Sequence, residues 1–204
     1  MSTLMGRMMQ MPLLTSSLLL HAARHAGDSA VVSKRCEGDV HRSDWVQIER
    51  RSRQLAQALA RLGCGPGDRV GTLAWNGYRH LELYYATTGS GLVCHTINPR
   101  LFPEQIAWIA DNAQDRVLCF DLTFVPLVEK IAPLLPGIEH FVLLCDRDHV
   151  PPAAAAIPRL LVYEELLAAE DGRYAWPELD EQSACGLCYT SGTTGEPKGA
   201  LYSH

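Results

Sequence analysis

Short apolar runs alternate along the chain with stretches in which apolar residues recur every three or four positions. That alternation predicts an α/β protein with a largely parallel sheet. Residues 30–34 and 40–42, separated by Glu37-Gly38-Asp39, read as a hairpin. Ser43 is placed to cap a helix over residues 45–62, in which Trp45, Ile48, Ser52, Leu55, Leu59 and Leu62 form one stripe and Gly63 is the stop. Strands are then predicted at 68–75, 92–97, 116–120 and 140–145. Helices are predicted at 78–88, 103–113, 124–135 and 163–169, with Pro103 suited to a first helical position. Residues 146–158 and the acidic stretch 170–182 read as loops, and residues 184–189 as a strand. Near the N-terminus Leu18, Leu19, Ala22, Ala23 and Ala26 suggest a short helix capped by Ser17. No internal repeat or linker divides the 204 residues.

Composition narrows the function without identifying it. Apolar residues make up 47% and charged residues 20%, enough for a packed core and against disorder. A net charge of -5 provides no field to gather nucleic acid. The basic group Arg50, Arg51 and Arg53, beside Glu49, reads as a solvated helix face. Seven scattered cysteines, an odd number, predict reduced thiols and a cytoplasmic protein. Cys185 and Cys188 fall three apart on a strand and so should face opposite sides, which argues against a redox or zinc pair. The stretch after Arg7 is broken by Gln10, Pro12 and Thr15, and no apolar run is long enough to span a bilayer.

The chemistry concentrates at Tyr189-Thr-Ser-Gly-Thr-Thr-Gly-Glu-Pro-Lys-Gly199. Gly192 and Gly195 permit backbone dihedrals closed to other residues, so that successive N–H groups can converge on an anion. Thr190, Ser191, Thr193 and Thr194 add hydroxyls, Lys198 a positive charge, and Pro197 stiffens the return. Such a loop suits a polyphosphate whose leaving group gains charge as it departs. It is not a Walker A loop, because Pro197 and Gly199 flank the lysine. Ser191 lacks the G-x-S-x-G setting of a hydrolase nucleophile. A Ser/Thr-rich surface hairpin is the competing reading. His21 and His25 are spaced like a metal pair but have no evident third ligand. His95 is a candidate for lining a substrate or for packing near a strand end. Trp45, Trp75, Trp108 and Trp176 read as packing residues.

The order of residues from Tyr189 to Gly199 resembles the phosphate-binding motif of the adenylate-forming superfamily, which comprises acyl-CoA synthetases, adenylation domains and luciferases. Gly65-Pro-Gly-Asp-Arg-Val70, Asn76 and the block from Gly89 to Arg100 are similar to further family segments. His80-Leu-Glu-Leu-Tyr-Tyr85, Cys94-His-Thr-Ile-Asn-Pro-Arg-Leu-Phe102 and Leu201-Tyr-Ser-His204 most resemble bacterial medium- and long-chain fatty-acid–CoA ligases. The resemblance implies that residues 1–204 are the N-terminal part of an AMP-binding domain, with a layered, mostly parallel sheet left incomplete. It implies ATP and Mg²⁺ as cofactors, with a fatty acid and CoA as substrates. The carboxylate would attack the α-phosphorus to give acyl-adenylate and pyrophosphate, and the CoA thiol would then displace AMP. Residues Thr190, Ser191, Gly192, Thr193, Thr194, Gly195 and Lys198 would hold the nucleotide, and the Thr190 hydroxyl would help hold Mg²⁺.

The resemblance also places the adenine-binding block, the Mg²⁺-binding glutamate, the hinge and the catalytic lysine downstream of His204, and a helix starting near that residue. The chain alone is therefore expected to be inactive and to leave strand edges exposed. The alternatives are a truncated, non-catalytic homologue acting as a binding module, and an adenylating enzyme that loads another acid or a carrier protein. A second copy of the chain is a further candidate partner.

Overall fold

The computed structural model describes residues 4, 6–9, 11–190 and 197–204. Helix α1 (Thr15–His25) precedes a hairpin, β1 (Ala30–Lys34) and β2 (Val40–Asp44), and then α2 (Trp45–Arg61). Next come β3 (Arg69–Leu73), α3 (Tyr78–Gly89), β4 (Val93–Thr96), α4 (Pro103–Asn112), β5 (Asp115–Phe120) and α5 (Val125–Ile131). The chain continues through β6 (His140–Leu143), β7 (Leu160–Val162), α6 (Tyr163–Ala168), β8 (Ala184–Thr190) and β9 (Lys198–Ser203). The large sheet runs β7-β6-β5-β3-β4-β8-β9, parallel throughout except for β9.

Connection handedness explains the layers. The step from β3 to β4 moves one way across the sheet, and the step from β4 to β5 moves back past β3. Right-handed crossovers in opposite directions put their helices on opposite faces. Accordingly, α4 and α5 pack on Leu73, Leu118, Phe120, Phe141 and Leu143. On the other face α2, α3 and α6 pack on Val70, Val117, Cys119, Val142 and Leu144. The alternation of Val117 and Cys119 with Leu118 and Phe120 follows from the two-residue period of a strand buried on both sides. Among the described residues no helix is long and apolar enough to cross a membrane.

Several local expectations need correction. Asp44, not Ser43, caps α2, its carboxylate accepting from the Gln47 N–H at 2.8 Å. Ser17 lies inside α1 and donates to the Leu14 carbonyl, while Leu18, expected on the buried face, is exposed. The helix expected at 124–135 is an α-helical segment with a 3-10 turn at each end. The loop at 146–158 contains two such turns and leads into β7, which sequence patterning missed. Residues 198–203, also left unassigned, form β9.

The largest correction concerns two of the three arginines on α2, Arg50 being exposed as expected. Arg51 donates to Glu82 at 2.7 Å and to both oxygens of Glu164 at 3.0 Å. Arg53 pairs with Glu49 and with the Tyr174 carbonyl, and its guanidinium lies over Trp176. From α3, Arg79 reaches Glu164 at 2.8 Å, Glu37 at 2.6 Å and Asp146 at 2.8 Å. The Tyr78 ring lies against both Arg51 and Arg79. This network joins α2, α3, α6, the hairpin turn and the loop after β6. Within it Glu82 is fully buried and accepts from the Tyr163 hydroxyl at 2.7 Å; burial pushes its carboxyl up, against the pull of Arg51.

Two titratable groups sit at the C-terminal end of the central strands. Asp121, just after β5, accepts from the Trp75 N–H at 2.6 Å, and burial pushes its carboxyl up to about 6. His80, near the start of α3, lies 3.1 Å from the Thr72 hydroxyl and is pushed down to about 4 by burial.

Replacing Glu82 with alanine removes one of the two carboxylates that hold the Arg51 guanidinium and leaves the buried Tyr163 hydroxyl without its acceptor. It is expected to cost about 3 kcal/mol, read from urea unfolding midpoints. For Asp121 the folded state favours the protonated acid, so its ionisation lowers stability as pH rises from the ordinary carboxylate range towards about 6. Asp121→Asn should therefore gain stability relative to the wild type across that interval and keep the gain at pH 7. An unchanged difference between pH 4 and 7 would contradict the assignment.

Candidate functional site

All six parallel strands end on the same edge of the sheet, where open α/β folds bind ligands. At that edge the chain leaves β3 towards the α3 face and leaves β4, which adjoins β8, towards the α4 face. The expected phosphate loop springs from the end of β8 there. Thr190 is the last residue of β8 and Lys198 the first of β9, and the two are register partners across the antiparallel pair. The Thr190 hydroxyl lies 3.5 Å from the Lys198 carbonyl oxygen, and both residues are exposed. The structure thus brings together two of the seven expected binding residues, one at each foot of the loop. Ser191, Gly192, Thr193, Thr194 and Gly195 lie outside the described residues.

Beneath those feet is an arrangement that sequence reasoning did not find. Tyr189 donates to Asn112 Oδ1 of α4 at 2.6 Å, and its ring stands edge-on to Trp108, centroids 6.3 Å apart. Across the hairpin it faces Gly199, where a Cβ would lie 3.2 Å from the tyrosine ring. On its other side lies His95 of β4, centroids 5.4 Å apart. His95 is fully buried, and its Nδ1 sits 2.8 and 2.9 Å from the two oxygens of Asp115, itself buried. Burial raises the Asp115 carboxyl, and the His95 hydrogen bond pulls it back. Room for the acid comes from Gly71 on β3, where a Cβ would lie 2.6 Å from Asp115 Oδ2.

His95 is therefore a core residue and not one that lines an open substrate surface. The signal that could have located the pair is an ionisable residue inside each of two apolar strands, with glycine on the strand between them.

The remaining candidates fall into place more simply. His21 and His25 lie with ring centroids 4.5 Å apart on α1, and they are not part of the single three-residue ligand cluster among the described residues. That cluster, Glu37, Asp146 and His149, is already engaged by Arg35 and Arg79, whose guanidiniums occupy the place of a cation. All seven cysteines are free; Cys185 is buried and Cys188 only half-buried, as opposite faces of β8 require. Trp75, expected to pack, lies tilted against Phe124, centroids 5.2 Å apart, and donates to the Thr123 hydroxyl while remaining 47% exposed. A groove lined by Arg69, Val93, Asn112, Leu187, Tyr189 and Leu201 runs along the α4 face to the loop's base.

Comparison with known proteins agrees with this geometry. Residues 19–204 match the model of the AMP-binding enzyme family. The chain is 53% identical over 201 residues to a 3-methylmercaptopropionyl-CoA ligase of Ruegeria lacuscaerulensis, covering 98% of this chain and 37% of that one. It is 49% identical over 201 residues to a medium-chain-fatty-acid–CoA ligase of Ectopseudomonas oleovorans, covering 98% and 36%. The chain thus spans little more than a third of the length of these relatives. Among solved structures, the anthranilate CoA ligase AuaEII in complex with anthranoyl-AMP superposes with a TM-score of 0.80 at 22% identity, over 96% of this chain and 35% of that one. The family match over residues 19–204, together with these relatives, establishes that the chain belongs to the AMP-binding, adenylate-forming enzyme family.

Proposed function

We propose that these residues form the N-terminal part of the AMP-binding domain of an AMP-forming acid–thiol ligase that activates a fatty acid or similar aliphatic acid and passes it to CoA. The observation that carries the reading is the hairpin itself. It holds the hydroxyl of Thr190 and the backbone of Lys198 side by side at the ligand-binding edge, with the Gly/Thr-rich motif between them.

In this reading Thr190, Ser191, Gly192, Thr193, Thr194 and Gly195 wrap the β- and γ-phosphates of ATP. Lys198 balances the charge that gathers on pyrophosphate as the acid attacks the α-phosphorus. The protein's contribution to that step is positioning and neutralisation, since little covalent chemistry falls to side chains in phosphoryl and nucleotidyl transfer. The exposed Thr190 hydroxyl is a hard oxygen donor of the kind Mg²⁺ takes, and it would supply one ligand. Mg²⁺ bound there would neutralise phosphate charge. Activity is assigned to the full-length enzyme, of which this chain supplies one wall of the nucleotide site.

For the acid, support comes from the relatives. One is named for a medium-chain fatty acid and another for 3-methylmercaptopropionate, a short acid with an apolar thioether. Their shared chemistry is an unbranched, largely apolar aliphatic tail. A cytoplasmic enzyme fits the reduced cysteines.

In the full-length enzyme Lys198→Ala is expected to lower acid-dependent ATP–pyrophosphate exchange about a hundredfold, and Thr190→Val by a smaller factor. Undiminished exchange in Lys198→Ala would defeat the loop assignment. AMP release with CoA across acetate, 3-(methylthio)propionate, octanoate, palmitate and benzoate should favour the unbranched acids longer than acetate. A preference for benzoate would defeat the substrate class.

A further inference from the structure

We propose that Tyr189, seated on the buried His95–Asp115 pair, is a positioning residue that fixes the separation of Thr190 and Lys198 and thereby the grip on the nucleotide's phosphates. The inference rests on the adenylating reading above and names the parts of the fold that make the loop's base rigid.

Tyr189 is tied in four directions. Its hydroxyl is held by Asn112, its ring edge meets Trp108, one side of the ring meets His95, and the other lies over Gly199 of β9. The last contact matters most. Because Gly199 has no side chain, the tyrosine can lie across the partner strand, so one ring touches both arms of the hairpin one residue below the loop. Movement of either arm would have to displace the ring, and the ring is anchored to α4 and β4.

Its support is not what packing alone would select. A leucine at position 95 would fill the space under the ring with no polar atom to bury. Instead the strand carries a histidine whose Nε2 is buried without a hydrogen-bond partner among the described residues. Its Nδ1 is held by a buried acid, and the acid is seated over a glycine. Buried polar groups left half-satisfied are uncommon and call for a reason. A hydrogen-bonded imidazole supplies one: Asp115 fixes the plane of the ring, where an aliphatic side chain could change rotamer. The plane of His95 then sets the plane of Tyr189. Placement of this kind bears on rate because a shift of about 1 Å in a positioning element costs as much as a hundredfold.

The test uses the full-length enzyme and separates KM for Mg·ATP from KM for the acid in the pyrophosphate-exchange assay, with thermal unfolding measured alongside. Tyr189→Ala is expected to raise KM for Mg·ATP about tenfold while KM for the acid stays within about twofold. His95→Ala should move KM for Mg·ATP the same way by about threefold. His95→Asn, whose amide can still donate to Asp115 from the Nδ1 position, should restore most of it. If Tyr189→Ala fails to fold, Tyr189→Phe carries the test, since it removes only the Asn112 hydrogen bond and should still raise KM for Mg·ATP. Unchanged KM for Mg·ATP in the folded Tyr189 variants, with only the melting temperature lowered, would overturn the proposal and leave the ligase reading standing. A wild-type enzyme with no acid-dependent exchange would overturn both.

Discussion

Two parallel strands cannot be joined by a tight turn; each must be reached by a crossover that returns the chain to the starting edge. The rest of the molecule depends on that constraint. It forces a helix between most successive strands and distributes the helices to two faces according to the direction of each step. It also collects six strand ends on one edge. Thr190, the first residue of the proposed phosphate-binding motif, lies there because β8 is one of the six, and within the large sheet only β9 runs back against its neighbour. The antiparallel return places the two ends of the motif on adjacent strands as register partners.

The same edge is held by two different kinds of interaction. On the side of β3, β5 and β6 it is closed by charge: Arg79 links Glu37, Asp146 and Glu164, and Arg51 links Glu164 with Glu82. Such pairs give little net stability once desolvation is counted, but they fix geometry, since a guanidinium with three carboxylate neighbours has few alternative arrangements. On the side of β4 and β8 the edge is held by tilted and edge-on aromatic rings and one buried hydrogen-bonded pair. The charged side holds a small cavity lined by Arg35, Glu37, Tyr78, Arg79, His80 and Asp121, whereas Thr190 and Lys198 lie on the aromatic side.

Much of this was legible in the sequence, and the failures have identifiable causes. Helix α2 was readable because Ile48, Ser52, Leu55 and Leu59 share one face and Gly63, at φ 88°, ends it. Strand β7 was not, because three residues are too few to show a period and Arg159 enters it at φ 51°, a conformation that breaks a pattern. Strand β9 was hidden because its side chains are mostly exposed and its sequence does not alternate. Arg51 reads as solvent-facing because the acids that receive it, Glu82 and Glu164, are far along the chain, and Arg53 because the Tyr174 carbonyl and Trp176 that meet it are equally distant; pairing across elements leaves no local trace. The motif itself was recognisable from residue order alone, while its support at Asp115 and Gly71 required knowing that β3 lies between β4 and β5.

The absence of a side chain at Gly71 couples positions far apart in the chain. A methyl group there would overlap the Asp115 carboxylate, and without that carboxylate the His95 imidazole would lose its only hydrogen-bond partner among the described residues. The three residues come from three adjacent strands but form a single steric and protonic unit, so substitutions at them should be inherited together. A family member that has dispensed with the acid at the position of Asp115 is free to carry alanine or valine at the position of Gly71, and has no reason to keep an imidazole on β4. Across the family, covariation at these sites would mark which enzymes support their phosphate loop with a polar floor and which with an oily one.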